Sequence, residues 1–263
     1  MDLGLKGKRA LVVGASRGLG FATAKALAAE GVQVAISSRG EEKLVAAAKE
    51  IEAAHGIPVA AIPADMSNAD APAKLIAKTV EALGGFDLLV TNAGGPPPGA
   101  FETFGEEDWA KGVDLSFMSH VRLIREALPH LRQSDAPSVL TVTSYTVKQP
   151  LENLILSNSI RAATVALTKS LSSELGKEGI RFNSILPGWT MTERVSELMS
   201  KNAEMNGMSI EEEAAKRVAE AALGRIGQPE EFAKPAVFLL SPAASYITGV
   251  NLLVDGGITK GTF

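Results

Sequence analysis

The sequence predicts an α/β protein with a Rossmann-type, doubly wound parallel sheet of seven strands and helices on both faces. Short runs rich in β-branched residues alternate with longer helical stretches along the whole chain. Runs such as 10–13 and 88–90 are apolar at every position, which is typical of strands inside a parallel sheet that helices cover on both sides. A glycine-rich turn directly after the first strand run agrees with this class.

The elements follow from these runs in chain order. Strands are predicted at Arg9–Val13, Val32–Ser37, Val59–Ile62, Phe86–Thr91, Ser138–Thr143, Ile180–Leu186 and Val250–Val254. Helices are predicted at Gly18–Glu30, Glu41–His55, Asp70–Leu83, Glu106–Leu131, Ile160–Lys177 and Pro229–Leu240. Gly31, Gly56 and Gly179 fall near element ends, where left-handed caps are common. No linker rich in Gly and Ser divides the chain, so we expect a single domain over 1–263.

Composition excludes several function classes. Hydrophobic residues make up 46% of the 263 positions and charged residues 21%, so we expect a globular chain rather than a disordered one. The formal charge of -4 argues against a nucleic-acid partner. The absence of Cys fits a reducing cytoplasm, and the start is not a signal peptide. No apolar run has the roughly 18 residues of a membrane span, and the three His residues lack metal-ligand spacing.

The turn after the first strand has the form of a phosphate-binding loop. The segment Gly14-Ala15-Ser16-Arg17-Gly18-Leu19-Gly20 joins that strand to a helix. Glycines allow a sharp turn and a close approach of the backbone to a pyrophosphate, and the helix N-terminus then faces the anion. A glycine triplet alone is weak support, because such turns also need glycine for steric reasons, but its place between strand and helix strengthens it.

These motifs together resemble the short-chain dehydrogenase/reductase family, in particular its 3-oxoacyl carrier-protein reductase-like members. The resemblance covers nearly the whole chain and rests on the glycine turn, Asn92-Ala93-Gly94, Pro187-Gly188, the segment 224–231 and the segment 248–257. Val13 and Thr91 depart from the family's usual Thr and Asn. The resemblance implies a cofactor site at Gly14, Ser16, Arg17, Gly18, Leu19, Gly20, Ser38, Arg39, Asp65, Met66, Asn92, Ala93, Gly94, Arg161, Pro187, Gly188 and Thr190.

The end of the second strand favours NADP(H) over NAD(H). An acidic residue there suits a free ribose 2′-hydroxyl, whereas this chain has Ser37-Ser38-Arg39. By resemblance, Arg17 and Arg39 clamp a 2′-phosphate, which the guanidinium fork fits well. The alternative is that both arginines point into water. Asp65 either flanks the adenine with Met66 or forms a cap with Ser67.

The catalytic positions differ from the family pattern. Relatives use a Ser to hold the carbonyl, a Tyr as proton donor about 13 residues later, a Lys four residues beyond, and an Asn that organises a water relay. The alignment places Ser144, Ser157, Arg161 and Asp114 at these four positions, so the Tyr-x-x-x-Lys motif reads as Ser-x-x-x-Arg. Residues 157 and 161 still share a helix face. An aliphatic hydroxyl is a far weaker acid than a phenol, and Arg stays protonated.

A relocated acid is one hypothesis for this site. Tyr145 and Lys148 follow Ser144 directly and offer a phenol and an ammonium, with Ser144 and Ser157 polarising the carbonyl. The alternative is that Tyr145 packs in a loop and Lys148 is solvated. The proline-rich loop 95–99 is either a rigid connection or a wall of the pocket.

The resemblance implies an NADP(H)-dependent oxidoreductase that acts on a carbonyl or alcohol, with a 3-oxoacyl-like or otherwise hydrophobic small molecule as substrate. Relatives place a mobile flap at about 189–222 and assemble as tetramers through the helices at 106–131 and 160–177, so we expect a cytoplasmic homotetramer. Two alternatives stay open: a non-catalytic NADP(H)-binding sensor or partner subunit, and a non-redox enzyme on the same fold.

Overall fold

The computed structural model describes residues 2–262 and contains one seven-stranded sheet. Every strand pair is parallel, and the strand order is β3-β2-β1-β4-β5-β6-β7. The strands are β1 Arg9–Val13, β2 Gln33–Ser38, β3 Val59–Pro63, β4 Leu88–Asn92, β5 Ser138–Val142, β6 Arg181–Pro187 and β7 Asn251–Val254. The order reverses between β1 and β4, and ligands of such sheets bind at the carboxyl ends of the strands near this point.

Nine α-helices accompany the sheet in the described residues. They are α1 Gly18–Ala29, α2 Glu41–His55, α3 Ala71–Leu83, α4 Glu106–Val113, α5 Ser119–Leu131, α6 Ile155–Leu175, α7 Glu193–Asn206, α8 Ile210–Glu220 and α9 Pro229–Leu240. Apolar residues of α1, α2 and α9 pack on one face of the sheet, and those of α3, α5 and α6 pack on the other. The predicted doubly wound fold is therefore confirmed.

The strand predictions agree with the structure to within two residues, two helix predictions need correction, and two helices were not predicted. The predicted helix at 106–131 is interrupted by a π-helical turn over Asp114–Met118. Helix α6 begins at Ile155, five residues before the predicted start, so that Ser157 lies in its first turn. The stretch predicted as a flap contains α7 and α8, which are largely polar and gave no apolar pattern. Left-handed glycines stand at Gly31, Gly56 and Gly179, as expected.

A membrane span is not among these elements. Within residues 2–262, no helix combines the length and the apolar content that a crossing of the bilayer demands.

Candidate active site at the carboxyl edge of the sheet

The glycine turn forms a closely packed backbone loop between β1 and α1. Gly14 has a φ of +69°, a left-handed value, and a Cβ on Gly20 would lie 2.3 Å from the Gly14 carbonyl oxygen. The Asn92 side chain, at the end of β4, donates a hydrogen bond of 3.4 Å to the same carbonyl. A side chain is thus excluded at Gly14 and at Gly20, as in a turn whose backbone approaches an anion closely.

The neighbouring end of β2 offers free polar groups that fit a nucleotide phosphate. The Ser37 and Ser38 hydroxyls are buried, and neither has a hydrogen-bond partner within residues 2–262. Arg39 is exposed and forms no ion pair in the same part of the chain. Buried hydroxyls usually have partners, so these two are unpaired donors at this end of β2. The residues present therefore fit the dinucleotide that the sequence predicts.

Arg17 differs from its expected place in this phosphate site. Its guanidinium forms an ion pair with Glu193 at the start of α7 and lies 3.6 Å from Glu197. The hydrogen bond with Glu193 raises the pKa of Arg17 and lowers the pKa of Glu193. A Cβ on Gly18 would lie 3.3 Å from Thr192, so α7 contacts the glycine turn directly. Arg17 thus links the turn to the flap, and binding a phosphate would require it to leave these carboxylates.

The remaining predicted cofactor residues lie near the carboxyl edge with separate local roles. The Asp65 carboxylate accepts hydrogen bonds from the Ser67 amide and hydroxyl, which is the cap that the sequence left as an alternative. Met66 is buried in the core. A Cβ on Gly188 would lie 2.6 Å from the Asp255 Cα, so β6 and the segment after β7 approach closely there. Thr190 is buried and bridges to Gly227.

Arg161 occupies the exit of β5. Its Nη1 donates to the main-chain carbonyl oxygens of Thr143, at 3.1 Å, and Val142, at 3.4 Å. Burial and the nearby Arg194 cation lower the pKa of Arg161 to about 10, so it stays a cation at neutral pH. Ser144 follows directly, and its Oγ accepts a 3.2 Å hydrogen bond from the Thr146 amide. The structure therefore places Arg161 against the main chain directly before Ser144.

Ser157 lies one helical turn before Arg161 on α6. Its side chain is half-buried and makes no hydrogen bond within the described residues. The spacing of four residues places both side chains on the same face of the helix. The Ser157 hydroxyl is thus free to bind a ligand oxygen.

The π-helical turn places Asp114 away from this arrangement. The Asp114 carboxylate accepts a 2.6 Å hydrogen bond from Arg122, and the two form an ion pair. The Ser116 carbonyl accepts a 2.9 Å hydrogen bond from Thr164 on α6, and the Ser116 hydroxyl donates to Gly94. Turns of this type are frequent at functional sites. Here the turn ties the loop after β4 to the helix that carries Arg161.

His120 lies behind the site in a neutral form. The ring is 2% exposed, and its Nδ1 lies 2.8 Å from the Thr91 hydroxyl on β4. Burial, together with the Arg161 cation, lowers the pKa of His120 to about 3. His120 therefore adds no second positive charge beneath Arg161.

Tyr145 does not join Ser144 and Arg161. Its ring is 4% exposed and packs with Trp189, Met199 and Ile258 under the flap. The Tyr145 hydroxyl is buried without a hydrogen-bond partner in residues 2–262. Burial, with the Glu220 carboxylate, raises the pKa of Tyr145, so the phenol is a poorer acid than usual. This placement does not support the hypothesis of a relocated acid.

Lys148 is exposed at the end of the same turn, as the solvated alternative describes. Its backbone amide donates to the Tyr145 carbonyl.

The proline-rich loop is held across the edge of the sheet. The Gly99 amide donates a 2.7 Å hydrogen bond to the carbonyl of Asn153, the residue before the turn into α6. Asn153 adopts a φ of 57°, which is left-handed and uncommon outside glycine. The loop therefore spans from β4 to the start of α6, next to Ser157.

Sequence reasoning missed Arg194, in the first turn of α7. The Nη2 atoms of Arg194 and Arg161 both lie 3.5 Å from the point where a Cβ on Gly95 would stand. The two residues are far apart in the chain, and no local pattern marks the pair. Within residues 2–262, no group of three or more acidic or His side chains could hold a metal ion.

Known proteins resemble the chain over nearly its full length. Residues 14–259 match the family described as enoyl-(acyl carrier protein) reductase. The short-chain reductase protein NovJ of Streptomyces niveus is 33% identical, covering 94% of this chain and 92% of its own. The L-rhamnose 1-dehydrogenase (NAD(P)(+)) of Azotobacter vinelandii is 33% identical, with 95% and 96% covered.

A solved structure also resembles this chain over nearly its full length. The L-sorbose reductase of Gluconobacter frateurii, crystallised with NADPH and L-sorbose, superposes with a TM-score of 0.94 at 30% identity. The superposition covers 99% of this chain and 100% of that one. The cofactor in that crystal is the one that the sequence predicts here.

Proposed function

Because the chain belongs to the short-chain dehydrogenase/reductase family, we propose that it is an NADP(H)-dependent oxidoreductase acting on a carbonyl or alcohol through an atypical catalytic centre. The observation that carries the proposal is Arg161, a largely buried cation fixed at the exit of β5 beside Ser144. In this proposal Ser157 and Arg161 stand where relatives have Tyr and Lys.

NADP(H) is the cofactor of the proposal. The glycine turn would hold the pyrophosphate, and Ser38 with Arg39 would hold the 2′-phosphate. When bound, the reduced nicotinamide supplies a hydride to the carbonyl carbon. No acidic side chain stands among Ser37, Ser38 and Arg39 to repel the extra phosphate.

The protein's own groups act on the carbonyl oxygen. An alkoxide at this oxygen would accept hydrogen bonds from the Ser144 and Ser157 hydroxyls. The Arg161 cation stabilises the negative charge, because a fixed positive charge in a partly dry site interacts strongly with an anion. Water supplies the final proton, since neither hydroxyl is acidic enough and Arg161 retains its proton.

Cofactor binding and turnover are tested separately. NADPH is titrated by its fluorescence, and its consumption is followed with a panel of ketones that includes L-sorbose and 3-oxoacyl esters. We expect NADPH to bind more tightly than NADH and at least one ketone to be reduced. Gly20→Ala should abolish NADPH binding, since the new Cβ would meet the Gly14 carbonyl, while Gly176→Ala, with no atom within 4 Å, should not. Equal affinity for NADH would contradict the cofactor assignment.

A second candidate is a non-catalytic NADP(H)-binding protein. The two serines and the arginine favour it, because none of them replaces the acid that relatives use. Tight NADPH binding without turnover over the whole panel would favour this candidate. A non-redox enzyme would instead convert substrate while the NADPH concentration stays constant.

Assembly is part of the proposal. Relatives pair through the helices that correspond to α4, α5 and α6, and this chain has the same helices. We therefore propose a homotetramer, or at least a dimer. Light scattering at micromolar concentration measures the mass, and a monomer would contradict the proposal.

A further inference from the structure

Two arginines converge on one point at the mouth of the site. Arg161 comes from α6 and Arg194 from α7, and their Nη2 atoms each lie 3.5 Å from the position of an absent Gly95 Cβ. No other heavy atom lies within 4 Å of that position apart from Gly95 and its chain neighbours. The absence of a side chain at Gly95 thus allows both guanidinium groups to approach its backbone.

Neither guanidinium has a carboxylate partner in the described residues. Arg161 Nη1 donates to two main-chain carbonyls, and neither arginine belongs to any ion pair within residues 2–262. Elsewhere on the same flap the arrangement is different, because Arg217 pairs with both Glu213 and Glu220. Two neighbouring cations repel each other, and a largely buried one is costly without an anion.

The position of Arg161 and Arg194 indicates which anion they would bind. Ligands of doubly wound sheets bind beyond the carboxyl ends of the strands, and the pair lies there, after β4 and β5. Gly95 follows the Asn92-Ala93-Gly94 segment, and Arg161 lies beside Ser144. The cofactor phosphates have their own cradle in the turn at Gly14 and the free hydroxyl of Ser38. An anion between the two arginines would therefore be carried by the substrate.

We infer that Arg161 and Arg194 bind a carboxylate of the substrate, so that the preferred substrates are oxo acids or the corresponding hydroxy acids. A carboxylate suits the two arginines, because the guanidinium fork matches its two oxygens. The inference rests on the proposed function for the identity of the reacting group, but it concerns binding and is tested by binding.

The test compares oxo acids with their neutral methyl esters. In pyruvate, acetoacetate and levulinate, the carboxylate carbon is one, two and three bonds from the ketone carbon. Each acid has a methyl ester of the same skeleton. Binding to the protein saturated with NADP⁺ is measured by calorimetry for the wild type, Arg194→Gln and Lys201→Gln. Lys201 is an exposed residue of the same helix, so its variant loses the same charge.

For at least one of the three acid–ester pairs, we expect the acid to bind about tenfold or more tightly than its ester. A hydrogen bond to a charged group contributes a difference of this size. Arg194→Gln should remove this preference and leave ester binding and NADPH affinity within about twofold, and Lys201→Gln should change nothing. Equal binding of acid and ester in all three pairs would overturn the inference. A loss of NADPH affinity in Arg194→Gln as large as the loss of acid affinity would overturn it as well, because the arginine would then serve the cofactor.

Different results would refute the proposed reductase activity and the proposed carboxylate site. Acid-selective binding without NADPH consumption would refute the reductase and support the carboxylate site. Reduction of acids and esters at equal efficiency and affinity would refute the carboxylate site and support the reductase.

Discussion

Replacing Arg161 by Met removes the cation at the centre of the proposed site and keeps a side chain of similar length. If the guanidinium stabilises an alkoxide, the loss should lower kcat by about 10²–10³, as for a single oxyanion donor. The fold should lose much less. The change removes two main-chain hydrogen bonds, of 3.1 and 3.4 Å, but also a largely buried cation without a carboxylate, so we expect about 0–3 kcal/mol of destabilisation.

Arg181 provides a matched control at a distance from the site. It is also largely buried, and burial lowers its pKa to about 10, like that of Arg161. Its guanidinium donates to the carbonyls of Leu239, Leu240 and Ser241, which end α9. Arg181→Met should therefore cost about 3–5 kcal/mol of unfolding free energy, because it leaves several carbonyls unsatisfied, and change kcat little.

The assay measures kcat from NADPH consumption and unfolding free energy from urea denaturation for both variants. We expect different outcomes: Arg161→Met loses turnover with the smaller loss of stability, and Arg181→Met keeps turnover with the larger loss of stability. Turnover of Arg161→Met within threefold of the wild type would refute the catalytic role. A loss of turnover that only follows the unfolded fraction would refute it too.

Three further predictions concern groups around this centre. Glu193→Gln should free Arg17 for a phosphate and raise NADPH affinity by about two- to fivefold while NADH affinity stays constant. An equal loss of affinity for NADPH and NADH would show instead that the Arg17–Glu193 ion pair holds the flap closed. Tyr145→Phe and Lys148→Met should keep turnover, since the Tyr145 hydroxyl is buried elsewhere, and a drop beyond about tenfold would restore the relocated acid. The unfolded chain protonates His120 near pH 6.5 and the folded chain near 3, so stability should fall on acidification within this window, by up to about 1.4 kcal/mol per pH unit, and His120→Gln should flatten the slope measured by urea denaturation.

Much of the fold could be predicted because its signals are local. Strand β1 and helix α2 have the predicted bounds, Arg9–Val13 and Glu41–His55, since a strand apolar on both faces and a helix between a strand and a left-handed glycine are marked in the sequence. The π-helical turn at Asp114–Met118 could not be predicted. It shifts hydrogen bonds by one residue and leaves the composition unchanged.

The site was predictable only where position along a strand or helix decides it. Arg161 lies against the main chain before Ser144 because Ser144 follows the end of β5 and Arg161 lies on α6, which packs beside that strand. The hypothesis of a relocated acid relied on the adjacency of Tyr145 to Ser144. Successive residues of extended backbone point to opposite sides, and Ser144 is extended, with φ of -164°. The Arg17–Glu193 pair and the meeting of Arg194 with Arg161 depend on how α7 lies over the sheet. Neither the spacing nor the composition of the chain carries that information.

The charges of the site favour the stabilisation of an anion over the delivery of a proton. Arg161 and Arg194 bring two cations to one side of the pocket, and burial keeps His120 neutral behind them. The same region holds no phenol, because the Tyr145 ring lies under the flap. A site with fixed positive charge and no strong acid lowers the energy of an alkoxide or a carboxylate, but it leaves protonation to water. Proton uptake should therefore depend on solvent access, so closure of the flap, which carries Arg194, would control both the binding of the substrate and the supply of the proton.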